Sequence, residues 1–166
     1  MIGVGTTIFL VRPQVFASGA SYLVDDYSAP VAFSVRKISS TATNCLRVRR
    51  SSDNAEQDIG FSGNDLDTAS LSSFVGANSA YVTKWYNQGT AGSGADLVQA
   101  TAGTQPRIVN AGTNDTDNGV ICIYSDGDWM QSTNHDTGII TRSSFVVHSM
   151  ITNLLNRGIY GINTGS

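Results

Sequence analysis

Apolar and polar residues alternate along many short stretches of this chain, which is the pattern of β-strands that bury one face. The alternation is clearest where Val31, Phe33 and Val35 take every second position. Clusters of small polar residues, glycine and proline separate these stretches and are typical of turns. The predicted strands are residues 31–35, 45–49, 58–61, 80–86, 96–100, 107–109, 120–124, 144–151 and 158–162.

One segment instead repeats its apolar positions at helical spacing. The apolar residues of 71–75 fall at i, i+3 and i+4, so they form one stripe on a helix. Asp65 or Asp67 can cap its start by accepting free backbone N–H groups, and Gly76 is suited to its end. Many short strands together with one short helix predict an all-β sandwich.

The amino-acid composition is typical of a β-protein and excludes several classes of fold and function. Of 166 residues, 40% are hydrophobic, which is enough for the core of one domain, and only 14% are charged. The chain holds 12 Asp but a single Glu and two Lys, so strong helix formers are scarce and a helical bundle is excluded. The net charge of −3 does not provide the basic patch of a nucleic-acid binder, so no nucleic-acid partner is predicted.

The first residues differ in character from the rest of the chain. Residues 1–21 are predicted to be an N-terminal arm or edge strand, and residues 22–166 the domain proper. The apolar run from Ile2 to Val11 is too short for a membrane helix and is followed by Arg12-Pro13, so no membrane partner is predicted. Because an exposed apolar arm is costly unless it is covered, docking on a neighbouring subunit is one hypothesis; an edge strand or a disordered start is the other.

The cysteines and histidines do not form a ligand pattern. Cys45 and Cys122 lie far apart and outside any C-x-x-C pair, which argues against a cysteine zinc site. Both lie in apolar runs, so we expect buried free thiols, with a disulfide as the alternative. His135 and His148 have no partners at metal-binding spacing.

Six segments, taken in order, resemble a known family. They are AFSVRKI at 32–38, LRVRRSSDNAEQDIGF at 46–61, LDTA at 66–69, VTKWYNQ at 82–88, QATA at 99–102 and QPRIV at 105–109. This order is similar to the N-terminal part of the catalytic domain of fungal α-L-arabinofuranosidase B, a concanavalin A-like β-sandwich. It resembles still more closely a group of phage and prophage virion proteins that carry the same pattern.

The resemblance covers about residues 22–162 and implies a concanavalin A-like jelly-roll β-sandwich over 22–166 with one short helix. The chain is short for such a sandwich, so an incomplete sandwich with open strand edges is the alternative. The nucleophile and acid of the hydrolase lie downstream of the matched stretch, at positions beyond Ser166, so the resemblance implies no enzymatic activity. The sequence departs from the family pattern at two places beside the Trp-Tyr motif. Asn87 stands where the family usually has Asp, and Gly89-Thr90 stand where it usually has Ser-Gly.

The function that the resemblance implies is structural. We expect a non-enzymatic phage virion protein, such as a capsid decoration, a head fibre or a tail component, on the surface of the particle. Its expected partners are further copies of itself and other virion proteins, contacted through the N-terminal arm and the sheet edges.

A carbohydrate-binding module for host or environmental glycans is the second hypothesis. Its candidate side chains are Trp129, Tyr124 and Trp85, because aromatic faces stack on sugar rings. Trp85 and Tyr86 point to opposite faces of a strand, so at least one of them packs in the core. An arabinofuranosidase-like hydrolase ranks below both hypotheses.

The acidic residues indicate structure rather than chemistry. Arg47, Arg49 and Arg50 precede Asp53, Glu56 and Asp58 across a turn, which favours cross-strand ion pairs over a pair of catalytic carboxyls. The loops 115–119 and 126–128 are rich in oxygen ligands but lack the EF-hand spacing. No catalytic residue, metal site or cofactor is therefore predicted, with a structural calcium ion left open. The 126–128 segment is predicted to be a tight turn.

Overall fold

The structure is a computed structural model that describes residues 21–27 and 29–132. Its helices are α1 (Leu23–Asp26) and α2 (Thr68–Val75), with 3₁₀ turns at Gly92–Ala95 and Ala102–Thr104. Its strands are β1 (Asn44–Arg50), β2 (Glu56–Ser62), β3 (Asp65–Leu66), β4 (Ala80–Trp85), β5 (Leu97–Val98), β6 (Arg107–Asn110), β7 (Thr113–Asn114), β8 (Thr116–Asp117), β9 (Val120–Ile121) and β10 (Gln131–Ser132).

The strands form one curled antiparallel sheet and a separate two-stranded ribbon. In the sheet the order is β10-β5-β4-β1-β2-β3, with β6 joined to β4 and β7 joined to β6. The ribbon pairs β8 with β9. Irregular register between β1 and β4, and between β4 and β6, adds twist to the sheet. The predicted all-β class with one short helix is confirmed, and the curled sheet is consistent with a jelly-roll β-sandwich.

The core lies between the central strands and α2. β1 pairs on one edge with β2 and on the other with β4, so its backbone groups are paired on both edges and it lies at the centre of the sheet. α2 covers the sheet through Leu71 and Val75, both fully buried. The fully buried large side chains are Leu46, Ile59, Leu71, Ile108, Val48, Val75, Val82, Val109 and Cys45.

α2 begins and ends where local sequence signals place it. Of the two capping candidates, Asp67 is the N-cap, and its carboxylate accepts a 2.9 Å hydrogen bond from the backbone N–H of Ser70. Gly76 ends the helix with a φ of 59°, a left-handed conformation that glycine adopts without a steric penalty.

Several sequence predictions about the described chain are wrong or need shortening. The predicted strand 96–100 is reduced to β5 (Leu97–Val98). The predicted strand 31–35 is absent: the segment joins no ladder, and only Arg36 bridges to β3. The predicted strand 120–124 is reduced to β9 and a bridge between Arg107 and Tyr124. A single helical turn, α1, also lies at the start of the predicted domain, where no helix was expected.

Several predictions fall outside the described residues. These are the arm over residues 1–20, the strands 144–151 and 158–162, and both histidines, His135 and His148. Within the described part of the chain, no helix is long and apolar enough to cross a membrane. Both cysteines are free thiols, as expected; Cys45 is buried, whereas Cys122, also expected to be buried, is only half-buried.

Candidate functional site

Three neighbouring strands bring arginine and tyrosine side chains into one line across the sheet. Arg49 of β1 is the register partner of Tyr81 of β4, and Tyr81 is the partner of Arg107 of β6. The bridge between Arg107 and Tyr124 adds a fourth member. Side chains that are directly opposite on adjacent strands share a face, so the four residues form an Arg–Tyr row (Arg49, Tyr81, Arg107 and Tyr124).

The Arg–Tyr row lines an open cleft of about 600 Å³. Its other lining residues belong to the segment 102–105 and to the turn that carries Asp126 and Asp128. Within the row each guanidinium stacks on a phenol ring, at 5.1 Å for Arg49 over Tyr81 and 4.7 Å for Arg107 over Tyr124. Such cation–π contacts hold both arginines in place.

The two arginines of the cleft differ in their partners. Arg107 forms a two-pronged ion pair with Asp115, at 2.8 and 3.0 Å, and this contact raises the pKa of Arg107. Arg49 donates only to neutral oxygens: Oε1 of Gln105 at 2.7 Å, Oδ1 of Asn54 at 2.8 Å and the carbonyl of Ala102. The cleft therefore contains Arg107, whose positive charge is paired with a carboxylate, and Arg49, whose positive charge is not.

The acidic residues of the cleft belong to the predicted tight turn. The backbone N–H of Asp126 donates to the carboxylate of Asp128 at 3.0 Å, and the hydroxyl of Ser125 donates to the Asp128 carbonyl. Gly127 follows with a φ of 81°. In the described part of the chain, no group of three or more metal-ligating side chains comes together. Asp115, at the start of the other oxygen-rich loop, is bound to Arg107.

The structure does not bring the three predicted sugar-stacking aromatics together. Only Tyr124 lines the cleft. Trp85 packs against the core, 5.7 Å from the ring of Phe33, and its indole N–H points to the carbonyl of Ser34. Trp129 is half-exposed beside the cleft, and its backbone is fixed by hydrogen bonds to Thr104 and Gln99.

The expected ion pairs form in the β1–β2 hairpin, except at Glu56. Arg47 contacts Asp58 at 2.6 Å, and the hydroxyl of Tyr86 donates to the same carboxylate at 2.7 Å. Arg50 contacts Asp53 at 2.6 Å and, by its hydrogen bonds, lowers the pKa of Asp53 to about 2. Glu56 lies opposite Arg49 in register but forms no ion pair among the described residues.

The Trp-Tyr-Asn-Gln motif has a structural role in this chain: it fastens the segment 29–38 to the sheet. Asn87 accepts from the backbone N–H of Ala32 at 2.8 Å and donates to the carbonyl of Pro30. Gln88, buried, accepts from the N–H of Ile38 at 2.8 Å. Its amide group donates to two carbonyls of the segment, at 2.9 Å each.

The next two positions tighten this attachment. A Cβ on Gly89 would lie 2.5 Å from the carbonyl oxygen of Pro30, so only glycine fits there. The buried carboxylate of Asp96 accepts from the backbone N–H of Asn87 at 2.9 Å and lies 3.8 Å from the ammonium of Lys84. Position 87 is usually Asp in the proteins that this sequence resembles. Asn87 has a side-chain amide that can donate hydrogen bonds, which a carboxylate cannot do.

No protein-family model and no curated protein matches the chain. Among solved structures, the chain is similar to a GH54 α-L-arabinofuranosidase soaked with a cyclic sulfate inhibitor, at 21% identity and a TM-score of 0.39. The match covers 61% of this chain and 22% of the hydrolase, so the chain spans about a fifth of that protein.

Proposed function

We propose that this chain is a non-enzymatic structural domain of a phage particle, exposed on its surface as a capsid decoration, a head fibre or a tail component. One observation supports this proposal most strongly. Two of the six segments that carry the sequence resemblance, 46–61 and 82–88, are engaged in contacts that hold the fold together. The first builds the β1–β2 hairpin, and the second fastens residues 29–38 to β4.

The protonation behaviour of the hairpin carboxyls fits a structural role. Hydrogen bonds from Arg50 and Arg47 lower the pKa of Asp53 and of Asp58, respectively. A general acid in glycoside hydrolysis instead needs a carboxyl whose pKa is raised. Carboxylates held in this way stabilise a hairpin and are poorly suited to donating a proton.

The surface offers apolar contacts for assembly with further copies or with other virion proteins. Leu23 is the first residue of α1 and Tyr27 is its C-cap, four positions later, and the two are 60% and 72% exposed. Val31, a few residues on, is also exposed. Among the described strands, β3 pairs with the outer edge of β2 only at Phe61 and Ser62, and the Gly60 carbonyl accepts from the N–H of Asp67. No described strand pairs with this edge over residues 56–59, which leaves it available for strand addition.

The test combines solution mass with particle composition. The full chain is expected to form a defined oligomer by light scattering and to give a band in purified phage particles. A double substitution, Leu23→Ser with Tyr27→Ser, should shift the chain towards monomer. Val120→Ser removes an equally exposed apolar side chain from β9 and should leave the oligomeric state unchanged. A monomeric wild-type chain that is absent from particles would overturn the proposal.

A further inference from the structure

The outer edge of β2 carries backbone groups that face away from the sheet at Glu56 and Asp58. The N–H of Arg50 donates to the carbonyl of Ala55 at 2.9 Å, so the carbonyl of Ala55 points towards β1. The hydrogen-bonding groups of successive residues in an antiparallel strand point alternately to its two edges. Because the register between β1 and β2 is regular over residues 56–59, the backbone groups of Glu56 and Asp58 point outward.

The contacts beyond this stretch follow the same alternation. The carbonyl of Gly60, the next outward-facing residue, accepts from the N–H of Asp67 at 3.1 Å. β3 then pairs with the same edge at Phe61 and Ser62. Since no described strand pairs with the edge over residues 56–59, it is open where two outward-facing residues lie.

The spacing of these groups selects an extended polypeptide as the ligand. Glu56 and Asp58 each present one N–H donor and one carbonyl acceptor, and the two residues are roughly 7 Å apart along the strand. An added strand has the same pair of groups at the same spacing, so each residue can exchange two hydrogen bonds with it. The main chain therefore provides the affinity, and the side chains decide which polypeptide fits.

The side chains of this edge favour a basic strand. Glu56 is exposed and forms no ion pair among the described residues. Asp58 lies on the same face of β2, but its carboxylate is already bound by Arg47 and Tyr86. A lysine or arginine directly opposite Glu56 would pair with the carboxylate that lacks such a partner.

A second copy of β2 is a poor match for the same edge. A two-fold pair of copies would place the two β2 strands antiparallel, with outward-facing residues opposite each other. Because both free positions are acidic, every register that pairs them sets carboxylate against carboxylate. Like charges directly opposite on neighbouring strands are destabilising, so the edge favours a different chain.

We propose that the outer edge of β2, at residues 56–59, binds an extended segment of another protein that carries a lysine or arginine opposite Glu56. The segment adds to the sheet as an antiparallel strand. This inference deepens the proposed function, because it gives the chemistry of the partner, and it rests on that function for the partner being another particle protein.

The probe is the blocked peptide acetyl-TVKVKVT-amide, whose two lysines are spaced to lie opposite Glu56 and Asp58. One comparison is acetyl-TVEVEVT-amide, which has the opposite charge. The other keeps the lysines but has both of their backbone nitrogens methylated, so it retains the charge and loses two main-chain donors. Calorimetry on the full chain should show the probe binding at least about tenfold more tightly than either comparison.

Reversing the charge of Glu56 tests the side-chain preference. Glu56→Lys should weaken binding of the lysine peptide by about fivefold or more and strengthen binding of the glutamate peptide. Asp117→Lys makes the same charge reversal in the separate β8–β9 ribbon and should change either affinity by less than about twofold. Equal effects of the two substitutions would contradict the charge preference.

Hydrogen exchange on the wild-type chain locates the added strand without a variant. In the free chain the amide protons of Glu56 and Asp58 should exchange quickly, and that of Gln57, which points to β1, should exchange slowly. Saturation with the lysine peptide should slow exchange at both outward positions by at least about tenfold, as read in NMR spectra of a nitrogen-15 labelled chain.

The inference is overturned if the lysine peptide does not bind, if either comparison peptide binds equally well, or if exchange at the two outward positions does not change. Slow exchange at both positions in the free chain would also overturn it, because the edge would then already be covered. None of these results bears on whether the chain occurs in phage particles, so this inference and the proposed function fail separately.

Discussion

Replacing Gln88 by leucine tests the claim that the Trp-Tyr-Asn-Gln motif has a structural role in this chain. Gln88 is 4% exposed, and its side chain makes three hydrogen bonds to the backbone of the segment 29–38. Leucine has a similar size but can make none of them. The N–H of Ile38 and the carbonyl of Arg36 then lose their side-chain partner in a partly buried environment.

The expected loss follows from these three bonds. At about 1 kcal/mol of net stabilisation each, their removal lowers the free energy of unfolding by about 3 kcal/mol. Urea unfolding followed by circular dichroism gives this free energy from the midpoint and slope. A loss of this size is several times the uncertainty of the method.

A matched control makes the same chemical change at the surface. Gln57 lies on the exposed part of β2, so Gln57→Leu is expected to change the free energy of unfolding by less than about 0.5 kcal/mol. If Gln88→Leu costs no more than Gln57→Leu, the attachment of residues 29–38 through Gln88 is refuted.

Three further outcomes are expected. The folded pKa of Asp53, about 2, lies below its unfolded value of 3.8, so its contribution to stability is complete above 3.8 and is lost as the pH falls towards 2. Asp53→Asn should therefore flatten the decline of urea midpoints at acidic pH. Burial raises the pKa of the Cys45 thiol to about 12, so iodoacetamide should label Cys122 in the native chain and Cys45 only after unfolding, as read by peptide mass. Gly89→Ala should destabilise the fold by about 1–3 kcal/mol in urea titrations, because its Cβ would overlap a backbone carbonyl.

Each of these outcomes has a control. Gly103→Ala adds a Cβ with no atom within 4 Å and should be nearly neutral, so equal effects at the two glycines would contradict the argument. Asp117→Asn makes the same substitution at a carboxyl that no described ion pair contains, and a flattening as large as that of Asp53→Asn would contradict the argument for the Arg50–Asp53 pair. Rapid labelling of native Cys45 would show that the core opens far more readily than its burial indicates.

Local signals predicted the helix and the central hairpin, because what defines them lies within a few residues. The stripe of 71–75, the cap Asp67 and the terminator Gly76 are all short-range features, and α2 follows them closely. The alternation of apolar and polar residues over 31–35 predicted a strand wrongly, because residues far away in the sequence determine the structure of this segment. The side chains of Asn87 and Gln88, about 50 residues away, satisfy backbone groups of this segment without a strand ladder.

The cleft could not be predicted for a related reason. The Arg–Tyr row depends on the register of β1, β4 and β6, and one-residue shifts in these ladders decide which side chains meet. Of its members, sequence reasoning singled out Tyr124 for binding and treated Arg49 only as an ion-pairing residue. The sequence carried no signal for this, because the three arginines of β1 are followed by three carboxyls, those of Asp53, Glu56 and Asp58.

The most direct test of the central proposal is quantitative mass spectrometry of purified phage particles from the host that carries this gene. A structural domain of the particle surface is expected at many copies per particle, in a fixed ratio to the major capsid or tail protein, and to remain after washing at high salt. Absence of the chain from particles, or a trace amount that varies between preparations, would contradict the account.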